Sequence, residues 1–312
     1  MIVALAGGVG AARFLDGLTR VMPPEDIYIV GNTADDTEIY GLYISPDLDT
    51  VVYTLAGIAN PIHGWGIEHD TYQALEALGR LGQDTWFQLG DRDLATHIFR
   101  TNRLRGGAKL NTITGEIAQS LGVRSTVQPM SNDPVRTIVR TPRGKLAFQT
   151  YFVRRRAQDM VLGVAFQGAH KARPTPGLLR SMRGADGIIF CPSNPIISIG
   201  PILAVPGIRR AIERRRCASV AISPIVGGRA IKGPAGGMLE SLGKDVSALG
   251  VAKIYQGLVD VFILDKIDAD LAPEVRKLGM QTVVTNTIMT GVAEKNALAR
   301  TVTRAIEKHR QR

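Results

Sequence analysis

A chain of 312 residues, 45% hydrophobic and 21% charged, is too apolar to be mainly disordered and long enough for one large domain or two ordinary ones. Its two cysteines, Cys191 and Cys217, exclude a disulfide framework and a cysteine-rich zinc site, and they point to a reducing compartment. The net charge is +10, yet aromatic residues are only 5% and no basic stripe interleaves with them, which argues against nucleic-acid binding.

From the N-terminus, Ile2 to Ala6 is a short apolar run that ends in Gly7-Gly8-Val9-Gly10, and a helical pattern follows from Ala11 to Val21. No basic region precedes the run, so no signal peptide is expected. Ile27 to Val30 reads as a second buried strand, and residues 65 to 125 read mainly as helix. Val135 to Arg140, Leu146 to Phe152 and Met160 to Phe166 look like antiparallel strands, with Thr141-Pro142-Arg143-Gly144 as a hairpin turn. Gly187 to Cys191, Ala218 to Ile222, Val261 to Leu264 and Thr282 to Val284 resume the buried, β-branched pattern. The most apolar stretch, Ile188 to Ile208, is broken by Pro192, Pro195, Pro201 and Pro206, so no membrane span is expected. These elements predict an α/β fold, a Rossmann-like, open, mostly parallel sheet with helices on both faces. They also predict one domain over residues 1–312, with a helical and β-hairpin insertion at roughly 57–180. A soluble, cytoplasmic protein is expected.

In such a sheet, ligands bind at the carboxyl ends of the strands. Gly7, Gly8 and Gly10 fall there, where small residues let backbone N–H groups approach a phosphate, and Arg13 adds charge. No Gly-Lys-Ser/Thr follows, so this is not a Walker loop, and the alternative is a plain strand-to-helix turn. Asn32-Thr33-Ala34-Asp35-Asp36 follows the second strand and suits a ribose, a hard cation or a helix cap. Asp47 and Asp49 stand two apart, on one side of an extended backbone, and with Asp35 and Asp36 they offer Mg²⁺ the carboxylates it prefers. The alternative is that Asp49 caps a helix from Thr50 to Leu55. In Gln88-Leu89-Gly90-Asp91-Arg92-Asp93, Asp91 looks like a helix cap, and Asp93 pairs with His97 at i, i+4.

Two further loops follow buried strands. Ser193-Asn194-Pro195 with Gly200, and Ser223-Pro224-Ile225-Val226-Gly227-Gly228 followed by Lys232-Gly233-Pro234, are rich in small residues and backbone donors. A nucleotide-sized ligand needs several such loops at once. The basic runs Arg154-Arg155-Arg156, Arg209-Arg210, Arg214-Arg215-Arg216 and Lys308 to Arg312 read as solvated faces and helix ends, with steering of an anionic substrate second. His63, His69, His170 and His309 have no partner spacing, and the two cysteines read as core.

Together, AGGVGAARFLDGL, GNTADD, SPDLDTVVYTLAG, GWGIEHDT, LGDRDLATHIFRT, PMSNDPVRT, PSNPIISIGPILAVPGIR, SPIVGG and KGPAGG resemble the 2-phospho-L-lactate transferase family of coenzyme F-420 biosynthesis, over roughly Ile2 to Ala305. The resemblance implies transfer of a phosphorylated three-carbon acid from a guanosine diphosphate-linked donor to the deazaflavin Fo, with release of GMP and dependence on Mg²⁺. By the same resemblance, Asp49, Gln88 and Asp91 meet Fo, with Asp49 the candidate catalytic residue. Asp35, Asp36, Asp47 and Asp49 hold the metal. Gly7, Gly8, Gly10, Arg13, Ser193, Asn194 and Gly200 hold the nucleotide and its phosphates. A homodimer is implied too. The rival within the same fold is a non-catalytic nucleotide-sugar-binding regulator of the gluconeogenesis-factor type, but SPDLDT and LGDRD supply contacts it would not need. A Rossmann dehydrogenase is disfavoured because Arg13 stands where the third glycine of its fingerprint would fall.

Overall fold

The computed structural model describes residues 1–310; Gln311 and Arg312, the end of the basic tail, lie outside the described residues. Seven strands form the main sheet: β1 (Ile2–Ala6), β2 (Ile27–Gly31), β3 (Thr126–Pro129), β4 (Gly187–Phe190), β5 (Ala218–Ile222), β6 (Val261–Asp265) and β7 (Gln281–Thr285). Their order is β7-β6-β5-β4-β1-β2-β3, and every pairing is parallel. The Rossmann-like α/β architecture expected from the sequence is the one observed. A parallel sheet is covered on both faces, so its central strands read as continuous apolar runs. Ala4, Ile29, Ile189, Val220 and Ile263 face one core. Val3, Leu5, Val30, Phe190 and Phe262 face the other.

Helices α1 (Gly8–Val21), α2 (Pro46–Leu55) and α5 (Leu110–Ser120) pack on the first face with the C-terminal helix Val292–Arg310. Between α2 and α5 lie α3 (Gln73–Arg80) and α4 (Asp91–Arg105). Gly17 lets α1 and the C-terminal helix touch, since a Cβ there would sit 2.5 Å from the Lys295 carbonyl oxygen.

Two elements depart from the sequence expectation. Strand β3 was not expected, because only Val127 and Pro129 of its four residues are buried and no apolar run marks it. The antiparallel sheet forms from Arg136–Thr141, flanked by Gly144–Ala147 and Gly163–Gln167, and the expected hairpin turn pairs Thr141 with Gly144. The strand expected to run on to Phe152 stops at Ala147, and Thr150–Arg154 winds into a π-helical turn instead. That turn stacks Phe148 on Phe152, with ring centroids 5.4 Å apart.

Candidate active site

The chain builds the sheet in one direction from β1 to β3 and in the other from β4 to β7, so the order reverses between β1 and β4. At such a reversal the loops leaving the two strands diverge and open a crevice. Here the Gly7 N–H donates to Ser193 Oγ across that point, at 3.3 Å. A Cβ on Gly7 would come within 2.6 Å of Ser198 Cβ, and one on Gly10 within 2.3 Å of the Pro192 carbonyl oxygen. Gly8 has a φ of +70°, which side chains rarely adopt. The glycines are therefore required where the two loops touch, and they leave the N-terminus of α1 open to a ligand.

A cavity of about 740 Å³ opens over this crevice. It is the size of a small-molecule site. Of the residues singled out from the sequence, Gly7, Gly8, Gly10, Arg13, Asp35, Asp47, Asp49, Gln88, Ser193 and Asn194 all line it. Asp36, Asp91 and Gly200 are not among the lining residues.

The four carboxylates divide into three environments. Asp35 and Asp47 face each other through Asn32, whose Nδ2 donates to Asp35 Oδ2 at 3.1 Å and to Asp47 Oδ2 at 2.9 Å. Burial raises the pKa of Asp35 well above the usual carboxylate range, and the charge of Asp47 raises it further. Burial pushes Asp47 up to about 6, against the Asn32 hydrogen bond and the Gly8 N–H. Asp35 Oδ1 is buried with no well-formed hydrogen bond; the Thr137 hydroxyl stands near the carboxylate and lowers its pKa against burial. Asp36 turns away from the pair, accepting from Tyr43 Oη at 2.9 Å and Ser45 Oγ at 3.0 Å. Burial pushes its pKa up to about 7.

Asp49 is held by Arg100. The guanidinium reaches both carboxylate oxygens, with Nη1 donating to Oδ2 at 3.1 Å and Nη2 to Oδ1. Asp49 is 5% exposed and Arg100 1%. The expectation that Asp47 and Asp49 point the same way is corrected: both lie in the first turn of α2, where residues two apart do not share a face. Pro46 at the first helical position starts that helix four residues earlier than expected. The i, i+4 pair of α4 does form, with His97 Nε2 3.2 Å from Asp93 Oδ1. Tyr53 Oη donates to the same oxygen at 2.7 Å. Burial is the largest influence on Asp93 and would raise its pKa, but the His97 bond and charge, the Tyr53 hydroxyl and the Arg100 charge together outweigh it and the pKa is lowered.

Asp91 is a cap, though not of its own helix. It accepts from the Gln73 and Ala74 N–H groups at the start of α3, while Asp70 accepts from the Arg92 and Asp93 N–H groups at the start of α4. The two helices cap each other, and Gly90 is needed between them because a Cβ there would lie 2.1 Å from Asp70 Oδ2. Gly200 packs in the helix Ile199–Ala204, where a Cβ would stand 3.2 Å from the Phe166 ring.

Sequence reasoning missed the apolar wall. Both tryptophans of the chain, Trp65 and Trp86, line the cavity with Phe87, Phe148 and Phe152. Low aromatic content hid them; their signal is that the few aromatics flank glycine-rich motifs. Arg154 and Arg156, read as part of a solvated run, line the same cavity, and Arg154 lies 5.9 Å over the Trp86 ring. His63, which had no partner spacing, lines it as well.

Among the described residues, no group of three or more His, Cys, Asp or Glu side chains is arranged to hold a metal. Asp35 and Asp47 nonetheless fit Mg²⁺, which takes one or two carboxylates and completes its shell with water and substrate phosphates. The unsatisfied Oδ1 of Asp35 is an available ligand atom. Among the described residues, no helix is long and apolar enough to cross a membrane.

A doubly wound sheet whose reversal point joins a glycine loop, paired carboxylates and an aromatic wall belongs with the open-sheet α/β proteins, in which ligands bind at the strand ends. The comparisons narrow this class. A family model described as 2-phospho-L-lactate transferase CofD matches residues 2–305. A 2-phospho-L-lactate transferase of Methanosarcina acetivorans is 39% identical, with 96% of each chain covered. A phosphoenolpyruvate transferase of Streptomyces griseus is 42% identical, again with 96% of each covered. A crystal structure of a UPF0052 family member from Bacillus halodurans matches with a TM-score of 0.65 over 97% of this chain and 98% of that one; at 17% identity this shows the fold. The chain belongs to the 2-phospho-L-lactate transferase CofD family, and it is a transferase of coenzyme F-420 biosynthesis.

Proposed function

We propose that this protein moves a phosphorylated three-carbon acid from its diphospho-5'-guanosine donor to the ribityl hydroxyl of Fo, in the cytoplasm and as a homodimer. The acid is 2-phospho-L-lactate, phosphoenolpyruvate or 3-phosphoglycerate. The hydroxyl oxygen bonds to the acid-side phosphorus, the bridging P–O bond breaks, GMP leaves with the bridging oxygen, and the hydroxyl loses its proton. The observation that carries this reading is the convergence on one cavity of segments far apart in sequence: the loop after β1, the start of α2, Gln88 and Ser193-Asn194.

Asp35 and Asp47 would hold Mg²⁺, which when bound neutralises charge on the diphosphate. Asp49 orients the Fo hydroxyl. A positioning role suits it better than proton abstraction, because the permanently charged Arg100 guanidinium reaches both of its oxygens. Gln88 contacts Fo beside it, and the aromatic wall of Trp86, Phe87 and Phe152 offers a flat ring an apolar face. The glycine loop and Arg13 face the phosphates, and Ser193 and Asn194 face the guanosine.

The test mixes purified protein with Fo, Mg²⁺ and each of the three guanylylated acids, following GMP and the deazaflavin product by mass. One donor is expected to give both products in equal amounts. Absence of GMP with all three rejects the proposal. In a pH–rate comparison, Asp49→Asn is expected to lower activity without moving the profile. Unchanged activity removes Asp49 from the site.

A further inference from the structure

Asp35 and Asp47 line the cavity as a carboxylate pair bridged by Asn32, and Asp49 lines it paired with Arg100. A polyanion entering it is repelled unless positive charge meets it near the mouth. Two cations stand on the glycine-loop side, Arg13 of α1 and Lys232 of the loop after the hairpin pairing Ile225–Val226 with Arg229–Ala230. Among the described residues, no ion pair includes either of them, and the charge that acts on Lys232 is that of Arg13.

Lys232 reaches across the mouth. Its Nζ donates to the His63 carbonyl at 3.1 Å, and it lies 3.5 Å from where a Cβ on Gly64 would be. That same point is 2.5 Å from Val9 Cγ1, so the lysine, the 60–66 loop and the glycine loop meet at one place. The 60–66 loop is itself fixed, since Asn60 Oδ1 accepts from the Ile62 and His63 N–H groups and its backbone carbonyl from Gly64. Burial lowers the Lys232 pKa, and the nearby Arg13 charge lowers it further. Two like charges that line one cavity without an ion-pair partner are an arrangement that an anion relieves.

We propose that Arg13 and Lys232 form a two-pronged clamp for the diphosphate of the nucleotide ligand, with Lys232 exchanging the His63 carbonyl for a phosphate oxygen when the ligand binds. The assignment of the nucleotide as guanosine rests on the proposed transferase reading. The clamp itself rests on the placement of the two cations.

The test measures binding of GDP, guanosine and inorganic pyrophosphate to the full chain by calorimetry. Lys232→Met is expected to weaken GDP and pyrophosphate by about tenfold or more, the loss of one charge-assisted contact, and to leave guanosine binding and the melting temperature unchanged. Lys232→Arg is expected to restore most of the GDP affinity, and Arg13→Met to repeat the loss. Equal GDP affinity in wild type and Lys232→Met overturns the clamp, as does a wild type that binds neither GDP nor pyrophosphate. A wild type that holds pyrophosphate through Lys232 but gains nothing from guanosine keeps the clamp and rejects the guanosine donor.

Discussion

The Asp49–Arg100 pair gives the sharpest stability prediction. Both side chains are almost wholly buried, and two of the guanidinium's nitrogens are spent on one carboxylate. Nη1 also lies 3.2 Å from His97 Nδ1, so the group is tied into the α2–α4 contact rather than exposed to water. Replacing Arg100 with Met leaves the Asp49 carboxylate buried near Tyr53, with the His97 ring, 3.8 Å away, as the one basic group beside it among the described residues. Breaking a buried pair from one side costs about 3–5 kcal/mol, a large part of the ~5–15 kcal/mol that holds a typical protein folded. Asp49→Asn strands the guanidinium and is expected to cost a similar amount. The double variant removes both charges and is expected to cost less than the sum of the singles by at least ~2 kcal/mol. Urea unfolding followed by fluorescence and circular dichroism gives all four corners of the cycle. Single variants that each lose under ~1 kcal/mol, or losses that simply add, would refute the claim that a desolvated ion pair anchors Asp49.

Three other outcomes follow from the same geometry. Gly10→Ala drives a methyl group against the Pro192 carbonyl at the sheet reversal, so a loss of about 1–3 kcal/mol in thermal unfolding and a fall in kcat/KM are expected; wild-type melting and activity together would contradict the packing argument. Mg²⁺ is expected to raise the melting temperature by about 2.7 kcal/mol equivalent at a hundredfold excess over its Kd, and to have no effect on Asp47→Asn; an equal rise in both proteins excludes Asp47 as a ligand. The carboxyl of Asp36, raised from 3.8 to about 7 by burial, keeps its proton in the folded state where the unfolded chain has lost it. Stability in EDTA should therefore fall as pH rises from about 4 to about 7, and Asp36→Asn should flatten the fall. Melting temperatures that climb through that window in wild type would show the sign to be wrong.

What could be read in the sequence is what depends on neighbours in the chain. Buried parallel strands announce themselves as apolar runs, so Ile2–Ala6 and Val261–Asp265 were legible, while the half-exposed edge strand Thr126–Pro129 was not. The i, i+4 pairing of Asp93 with His97 is a property of one helix and came through. The side of Asp49 did not, because it depends on whether Pro46 starts a helix or Ser45-Pro46-Asp47 stays extended, and a two-residue spacing means opposite things in the two cases. Asp91 was legible as a cap but not as the cap of α3, since its acceptors are used by N–H groups 17 and 18 residues away. The basic runs show the same limit from the other side. Arg154 and Arg156 looked like solvated charge by composition, yet both line the cavity, and the π-helical turn Thr150–Arg154 sets Arg154 over the Trp86 ring. Charge alone does not separate a solvated face from a cavity wall. That separation needs the fold, which brings these arginines and the loops at the reversal between β1 and β4 to one cavity.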